Sequence, residues 1–214
     1  MGAEAPETEA LLARAAAGDG AAWGALLTAH QERLGLMVAF RMDPRLRGRV
    51  DAADIVQDAF VEASAHRADY FRSPMAPLFL WLRGVVSNKL LEVHRHHLGT
   101  RMRDAKRERP LDAPPGPHET TAALCAHLTG GLTRPSVAAV RGEVRTRLAE
   151  ALAGMDATDR EVLALRHFEQ LTTAEAAQVL GIQERAAAKR YVRALQRLRE
   201  ILSEMPGGLT ELRP

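Results

Sequence analysis

The chain has 214 residues, 46% of them apolar and 4% aromatic, with 29 Lys and Arg against 27 Asp and Glu for a net charge of +2. That apolar share excludes wholesale disorder, and the length allows one or two modest domains. A single cysteine, Cys125, excludes an internal disulfide framework and a thiolate metal site.

The opening residues lack a cationic segment followed by an apolar core, and the apolar runs are too short and too charged to span a bilayer. A cytoplasmic protein without membrane insertion is expected. Abundant Ala, Leu and Arg, with no long alternating run of β-branched residues, point to an all-α fold.

Helix is expected from near Glu7, with Leu11, Leu12, Ala15 and Ala16 on one side. Gly18-Asp19-Gly20 breaks it, and Trp23, Leu26, Leu27, His30, Leu34 and Met37 carry a second amphipathic helix. Asp43-Pro44 marks a turn. Asp51 is placed to cap a helix running to about Ala65, whose apolar stripe is Ile55, Val56, Ala59, Phe60 and Ala63. That stripe leaves Asp54, Gln57, Asp58, Val61 and Glu62 outside. Phe71 to Pro77 reads as a loop pinned by Pro74 and Pro77, and a long helix follows from Leu78 through Phe79, Trp81, Leu82, Val85, Val86, Leu90 and Val93.

From Gly99 the texture changes: Pro110, Pro114, Pro115, Pro117, Gly130, Gly131 and Pro135 interrupt any periodicity. A linker is expected there, with a short helix around Thr121–Leu128. Ser136 is a candidate cap for helix resuming through Val140, Val144 and Leu148. The expected architecture is two small helical domains, residues 1–98 and 143–204, joined by a flexible linker at 99–142 and followed by a tail at 205–214.

The second domain contains Leu148–Met155 and Thr158–Phe168, then a helix-turn-helix. Thr172 or Thr173 caps its first helix, with Glu175 in the first turn and Leu171, Ala174, Ala177, Val179 and Leu180 as the apolar face. Gly181 takes the sharp turn, Ile182 anchors it, and a second helix starts near Glu184. Arg185, Lys189, Arg190, Arg193, Arg197 and Arg199 lie on that helix with no acid among them, while Ala187, Tyr191, Leu195, Leu198 and Leu202 recur on its inner side. A helix apolar on one side and cationic on the other suits a DNA major groove flanked by phosphates.

Charge alternates along the chain. Residues 51–72 hold five acids, residues 83–109 eight Lys and Arg, residues 151–182 five acids again, and residues 183–214 seven Lys and Arg. Acidic faces repel DNA, so the acidic runs are expected to meet protein and the basic runs nucleic acid. His94, His96 and His97 offer only two ligands on one helix face, with no carboxylate or thiol to complete a metal site. Asp54 and Asp58 have no third ligand, Cys125 has no adjacent base, and Trp81 and Phe79 fit an apolar stripe better than a stacking platform. No phosphate-binding glycine loop or Ser/His/Asp array appears. Neither catalytic residues nor a cofactor nor a metal is expected.

Three segments resemble a known family. Asp51-Ala-Ala-Asp54-Ile-Val-Gln57-Asp58-Ala-Phe60 and Trp81-Leu82-Arg83 through His94-Arg95 resemble two helices of region 2 of bacterial sigma factors. Asp159-Arg160-Glu161-Val162-Leu163-Ala-Leu165-Arg166 resembles the opening of their region 4. Segments resembling regions 1 and 3 are missing, which matches the compact extracytoplasmic-function (ECF) group. The resemblance covers about residues 7–100 and 145–202 and implies a transcription initiation factor that binds core RNA polymerase and directs it to promoters.

It further implies that Asp54, Gln57, Asp58 and Glu62 grip the clamp helices of the largest polymerase subunit. Arg83, Asn88, Lys89 and Arg95, with Arg72, Ser73 and Met75 of the loop, would melt and read the −10 element. Arg185, Ala186, Lys189, Arg190, Arg193 and Arg197 would enter the −35 major groove. An anti-sigma factor is a further implied partner. Where the family often carries Gly-Thr-Val-Lys-Ser, this chain has Arg185-Ala186-Ala187-Ala188-Lys189, so no −35 sequence preference carries over. Two rival functions remain: a sigma mimic that binds an anti-sigma factor without initiating transcription, which should lose the cationic surfaces, and a DNA-processing enzyme, which needs a nucleophile set that residues 1–100 lack.

Overall fold

The computed structural model describes residues 4–46, 48–98, 120–121, 123–125 and 138–204. Its regular elements are all helical. They fall into two units, one drawn from Met1–Ala39 with Leu46–Asp112 and the other from Phe40–Arg45 with Ala113–Pro214.

In the first unit α1 spans Glu4–Ala16 and α2 spans Gly20–Arg41, its last two residues counting with the second unit. Asp19 makes the join: its carboxylate accepts from the Ala21 and Ala22 N–H groups at 2.8 and 3.1 Å and pairs with Arg14. Those backbone donors would otherwise be orphans of the first helical turn. A 3₁₀ turn at Pro44–Leu46 follows.

The third helix, α3 (Ala52–Ala65), is capped by Asp51, whose side chain accepts from the Ala53 N–H at 2.9 Å. It buries Ile55, Val56, Ala59, Phe60 and Ala63, the stripe that the sequence spacing marks. A short helix, α4 (Arg67–Arg72), was not expected and takes Phe71 and Arg72 out of the loop. Its reason is tertiary: Tyr70 is buried against Trp81 at 4.9 Å between rings, and Phe71 meets the Trp23 ring at 5.9 Å. Trp23 in turn donates its indole N–H to Ser64 Oγ at 2.9 Å, tying α2 to α3. Phe79 is buried under the Arg33 guanidinium, as expected of a core residue, and Trp81, half-buried, joins the ring cluster. The loop is therefore Ser73–Pro77, and α5 runs Leu78–Leu98.

The second unit comprises α6 (Ala138–Ala153), α7 (Ala157–Leu163), α8 (Thr173–Leu180) and α9 (Glu184–Glu204), with helical residues 120–125 where described. Leu148, Leu152, Leu163, Ala164, Ala187, Ala194 and Ile201 share its core, each large member adding about 1.5–3 kcal/mol by leaving water. Two expected boundaries change. Ala123, Leu124 and Cys125, within the expected linker, are buried in this core, and α6 starts inside that same expected range. Phe40–Arg45, assigned to the first domain, belongs here because the Phe40 ring stacks on Phe168 at 4.7 Å. The rest of the expected linker, with Ser136 and the tail, lies outside the described residues.

Beyond α7 the backbone widens into a π turn, Ala164–Phe168, closed by Glu169 N–H donating to Ala164 O at 3.0 Å. Gln170 then takes φ 57°, a left-handed conformation that costs a non-glycine residue some strain. The turn leads to α8, where Thr172 is the cap: its Oγ1 accepts from Glu175 N–H at 3.2 Å and Glu175 returns the bond to Thr172 N–H at 2.7 Å. That reciprocal pair is a capping box. Gly181 ends α8 at φ 63°, with Ile182 N–H reaching back to Ala177 O at 3.0 Å, and only glycine takes that conformation cheaply. Ala176 and Ala177 are the buried residues of α8; Ala174, expected inside, is exposed.

Candidate nucleic-acid interface

On α3 the apolar stripe faces inward, so Asp54, Gln57, Asp58, Val61 and Glu62 emerge together on the opposite side. Val61 is 73% exposed amid them, which makes the patch an acidic surface with an apolar centre. Of the α5 residues expected to meet DNA, Asn88 and Lys89 are half-buried and Arg95 is exposed. Lys89 donates to Glu92 at 3.0 Å, and that bond, with Asp58 and Glu62 nearby, raises its ammonium above the ordinary range. Lys89 therefore borders the acidic patch rather than heading a purely cationic surface.

Arg83 departs from expectation. It is 5% exposed, an interior residue of the first unit rather than part of a DNA-facing surface. The spacing puts it one residue from Leu82 and two from Val85, within the buried sector of α5. Arg72 and Ser73 are exposed at the end of α4, where Arg72 pairs with Asp69 at 2.9 Å, and Met75 is 90% exposed in the loop.

The basic helix α9 splits into two rows. Ala187, Ala194, Leu198 and Ile201 form the centre of its buried face. Arg190 and Arg193 flank that face and turn onto α7. Arg193 grips the Asp159 carboxylate with Nε at 2.6 Å and Nη2 at 2.7 Å, and Arg190 adds contacts to Asp159 at 2.7 Å and Asp156 at 3.0 Å. Burial alone would push the Asp159 carboxyl up, but the hydrogen bonds from Arg193 and Arg190 outweigh it and hold the group below its usual range. Arg197 pairs with Glu200 at 2.9 Å. Arg185 and Lys189 stand exposed, and Ala186 is half-buried.

Three of the five acids of the second run are interior rather than surface groups. Asp159 and Glu161 are buried on α7, and Glu169 beyond it has no exposed side chain. Arg41 pairs with Glu161 at 2.7 Å and also with Glu169, and Thr120 donates to Glu161. Burial disfavours the charged Arg41, yet the two carboxylates more than compensate and raise its guanidinium above the ordinary value. Arg160 is spent on the carbonyls of Leu152, Ala153 and Met155, which closes the end of α6. The region 4-like motif is thus a structural cross-brace, and the expectation that this run meets a protein partner is corrected. Sequence spacing does not single out Arg41, Thr120 or Asp156; the density of charge between Asp156 and Glu169, on so apolar a segment, is the signal that the sequence offers.

Among the described residues no group of three or more His, Cys, Asp or Glu is arranged to hold a metal ion, and no helix is long and apolar enough to cross a membrane. The His96 and His97 rings lie edge to face at 4.8 Å.

Residues 145–198 match the model of the family described as Sigma-70, region 4. The chain is 29% identical over 199 residues to RNA polymerase sigma factor NccH of Alcaligenes xylosoxydans xylosoxydans, covering 91% of this chain and 94% of that protein. It is 30% identical over 205 residues to RNA polymerase sigma factor CnrH of Cupriavidus metallidurans, covering 90% and 92%. The solved structure of CnrH in complex with the cytosolic domain of CnrY is similar at 27% identity and a TM-score of 0.48, over 90% of this chain and 95% of that one. With near-complete coverage in both directions and the helix-turn-helix in place, the chain belongs to the RNA polymerase sigma factors, in the ECF group.

Proposed function

We propose that the two units of this sigma factor divide promoter recognition between them. A sigma factor binds core RNA polymerase and brings it to promoter DNA. In the first unit, the acidic face of α3 (Asp54, Gln57, Asp58, Glu62) engages the clamp helices of the largest polymerase subunit. Asn88 and Arg95 of α5, with Arg72, Ser73 and Met75, contact the −10 element as it melts. In the second unit α9 enters the −35 major groove. The chain acts in the cytoplasm by binding and strand separation, with no covalent step of its own.

The observation that carries this reading is the segregation of charge: three exposed carboxylates on one face of α3, and exposed Arg185, Lys189 and Arg199 on α9 of a capped helix-turn-helix. Opposite charge steers each surface to a different partner. A mimic that only sequesters an anti-sigma factor has no use for the cations of α9.

Pull-down of core polymerase followed by run-off transcription tests the reading. Wild type should assemble and initiate, whereas Asp54→Arg, Asp58→Arg should lose assembly with helical content intact, because like charge across an interface costs several kcal/mol. Normal assembly by the folded double variant would overturn the α3 assignment, and assembly without transcription by wild type would favour the mimic.

A further inference from the structure

The two rows of α9 differ in what holds them, and the difference bears on which residues meet DNA. At 100° per residue, Arg185, Lys189, Val192, Gln196 and Arg199 (steps of four, three, four and three) fall on one line opposite the buried Ala187, Ala194 and Leu198. All five are exposed, Val192 to 54%. Among the described residues no ion pair engages Arg185, Lys189 or Arg199. The second line, Ala186, Arg190, Arg193 and Arg197, runs about 100° away along the flank, and its three cations each meet a carboxylate.

Asp159 is the hub of that flank. Its side chain is 7% exposed, and it receives three hydrogen bonds from two arginines. A guanidinium engaged through Nε and Nη2 on a buried carboxylate has its side-on bidentate edge occupied, one of the two edges with which arginine grips a phosphate or a guanine. The carboxylate also cancels charge on the flank.

We propose that the outermost row, led by Arg185 and Lys189, makes the duplex DNA contacts of α9, and that Arg190 and Arg193 are positioning residues that Asp159 withholds from DNA to fix the angle of α9 on α7. This rests on the reading of α9 as the −35 helix and divides labour within it.

The test uses holoenzyme and a duplex pool carrying a random 25-bp upstream segment. The upstream sequence that wild type enriches is then titrated across KCl concentrations with Lys189→Ala, Arg193→Ala and Asp159→Asn holoenzymes. Each lost phosphate contact lowers the log–log salt slope by about 0.9. Lys189→Ala should lose about one unit, and Arg193→Ala should keep the wild-type slope. Asp159→Asn should steepen the slope by one to two units and enrich a less selective pool, because it releases two cations toward the phosphates. A merely structural Asp159 would instead weaken binding without steepening the slope. Circular dichroism of each variant separates misfolding from a change of contacts. Equal slope loss in Arg193→Ala and Lys189→Ala, or no steepening in a folded Asp159→Asn, overturns the proposal. If wild type enriches no upstream sequence at all, the −35 reading falls first and this inference with it.

Discussion

The acid-rich runs 51–72 and 151–182 hold five carboxylates each and are indistinguishable as charge patterns. In α3 the carboxylates of Asp54, Asp58 and Glu62 stand in solvent around an exposed valine. In the second unit Asp159, Glu161 and Glu169 are withdrawn into the interior and matched by Arg190, Arg193 and Arg41. Charge density alone does not say whether an acid recruits a partner or braces a core. What separates the two cases is the helix beneath. The stripe of α3 covers less than half its circumference and leaves Asp58 and Glu62 on an open face. On the seven-residue α7, Asp159, Arg160, Glu161, Val162 and Leu163 are all buried, so its charges need partners wherever they point.

The largest expected effect tests that contrast directly. Arg41→Ala would strand Glu161 and Glu169 as buried carboxylates without their cation, a change that costs about 3–5 kcal/mol. Neutralising the open face with Asp58→Asn, Glu62→Gln should move stability by no more than about 0.5 kcal/mol, as exposed surface substitutions do. Urea unfolding followed by circular dichroism compares the two. Similar losses would mean that the α3 acids also brace the fold and would dissolve the distinction.

A smaller effect lies in the acid limb of stability. Asp159 titrates below its ordinary value in the folded chain, so its contribution is fully present above the unfolded carboxylate value, about 3.9, and is lost as pH falls through the lower folded value. The second unit should therefore weaken below about pH 4. Asp159→Asn should cost about 1–2 kcal/mol at neutral pH, toward the lower figure because Arg193 is largely exposed, and should flatten that limb. Thermal melts of both proteins between pH 3 and 7 check it. Parallel curves would show that the Asp159 pairs contribute nothing in the folded state.

Local rules made much of the fold legible. The five-residue stripe of α3, the Asp51 cap, the start of α5 at Leu78 and the α8–Gly181–α9 turn all follow from spacing and capping chemistry within a few residues. Contacts distant in sequence were not legible. Arg41 meets Glu161 across 120 positions and Arg193 meets Asp159 across 34, and no periodicity encodes either. The same limit hid α4, which exists because Tyr70 packs on Trp81, and the burial of Arg83. On α9 the spacing marks Ala187 and Leu198, which are buried, together with Tyr191, Leu195 and Leu202, which are half-buried, yet it misses Ala194 and Ile201, which complete the centre of the buried face. The choice between Arg185 with Lys189 and Arg190 with Arg193 depends on Asp159, which only the folded unit brings beside them.

The smallest effect asks where the two units should behave alike. Asp51 caps α3 by accepting from Ala53 N–H, and Thr172 caps α8 by accepting from Glu175 N–H. Asp51→Ala and Thr172→Ala each orphan one backbone donor at an exposed helix start, so each should cost about 1 kcal/mol. The second half of the α8 box survives in Thr172→Ala, because Glu175 accepts from the backbone N–H of residue 172 rather than from its side chain. Thr172→Ser keeps the hydroxyl and should recover most of the loss. Neither cap touches the outer row of α9, so the salt slope of DNA binding should stay at the wild-type value in Thr172→Ala. Matched losses of stability with an unchanged slope would confine the difference between the units to their long-range charge pairs. A Thr172→Ala slope that moved by a full unit would instead show that the angle of α8 sets the DNA contacts directly, without the Asp159 brace.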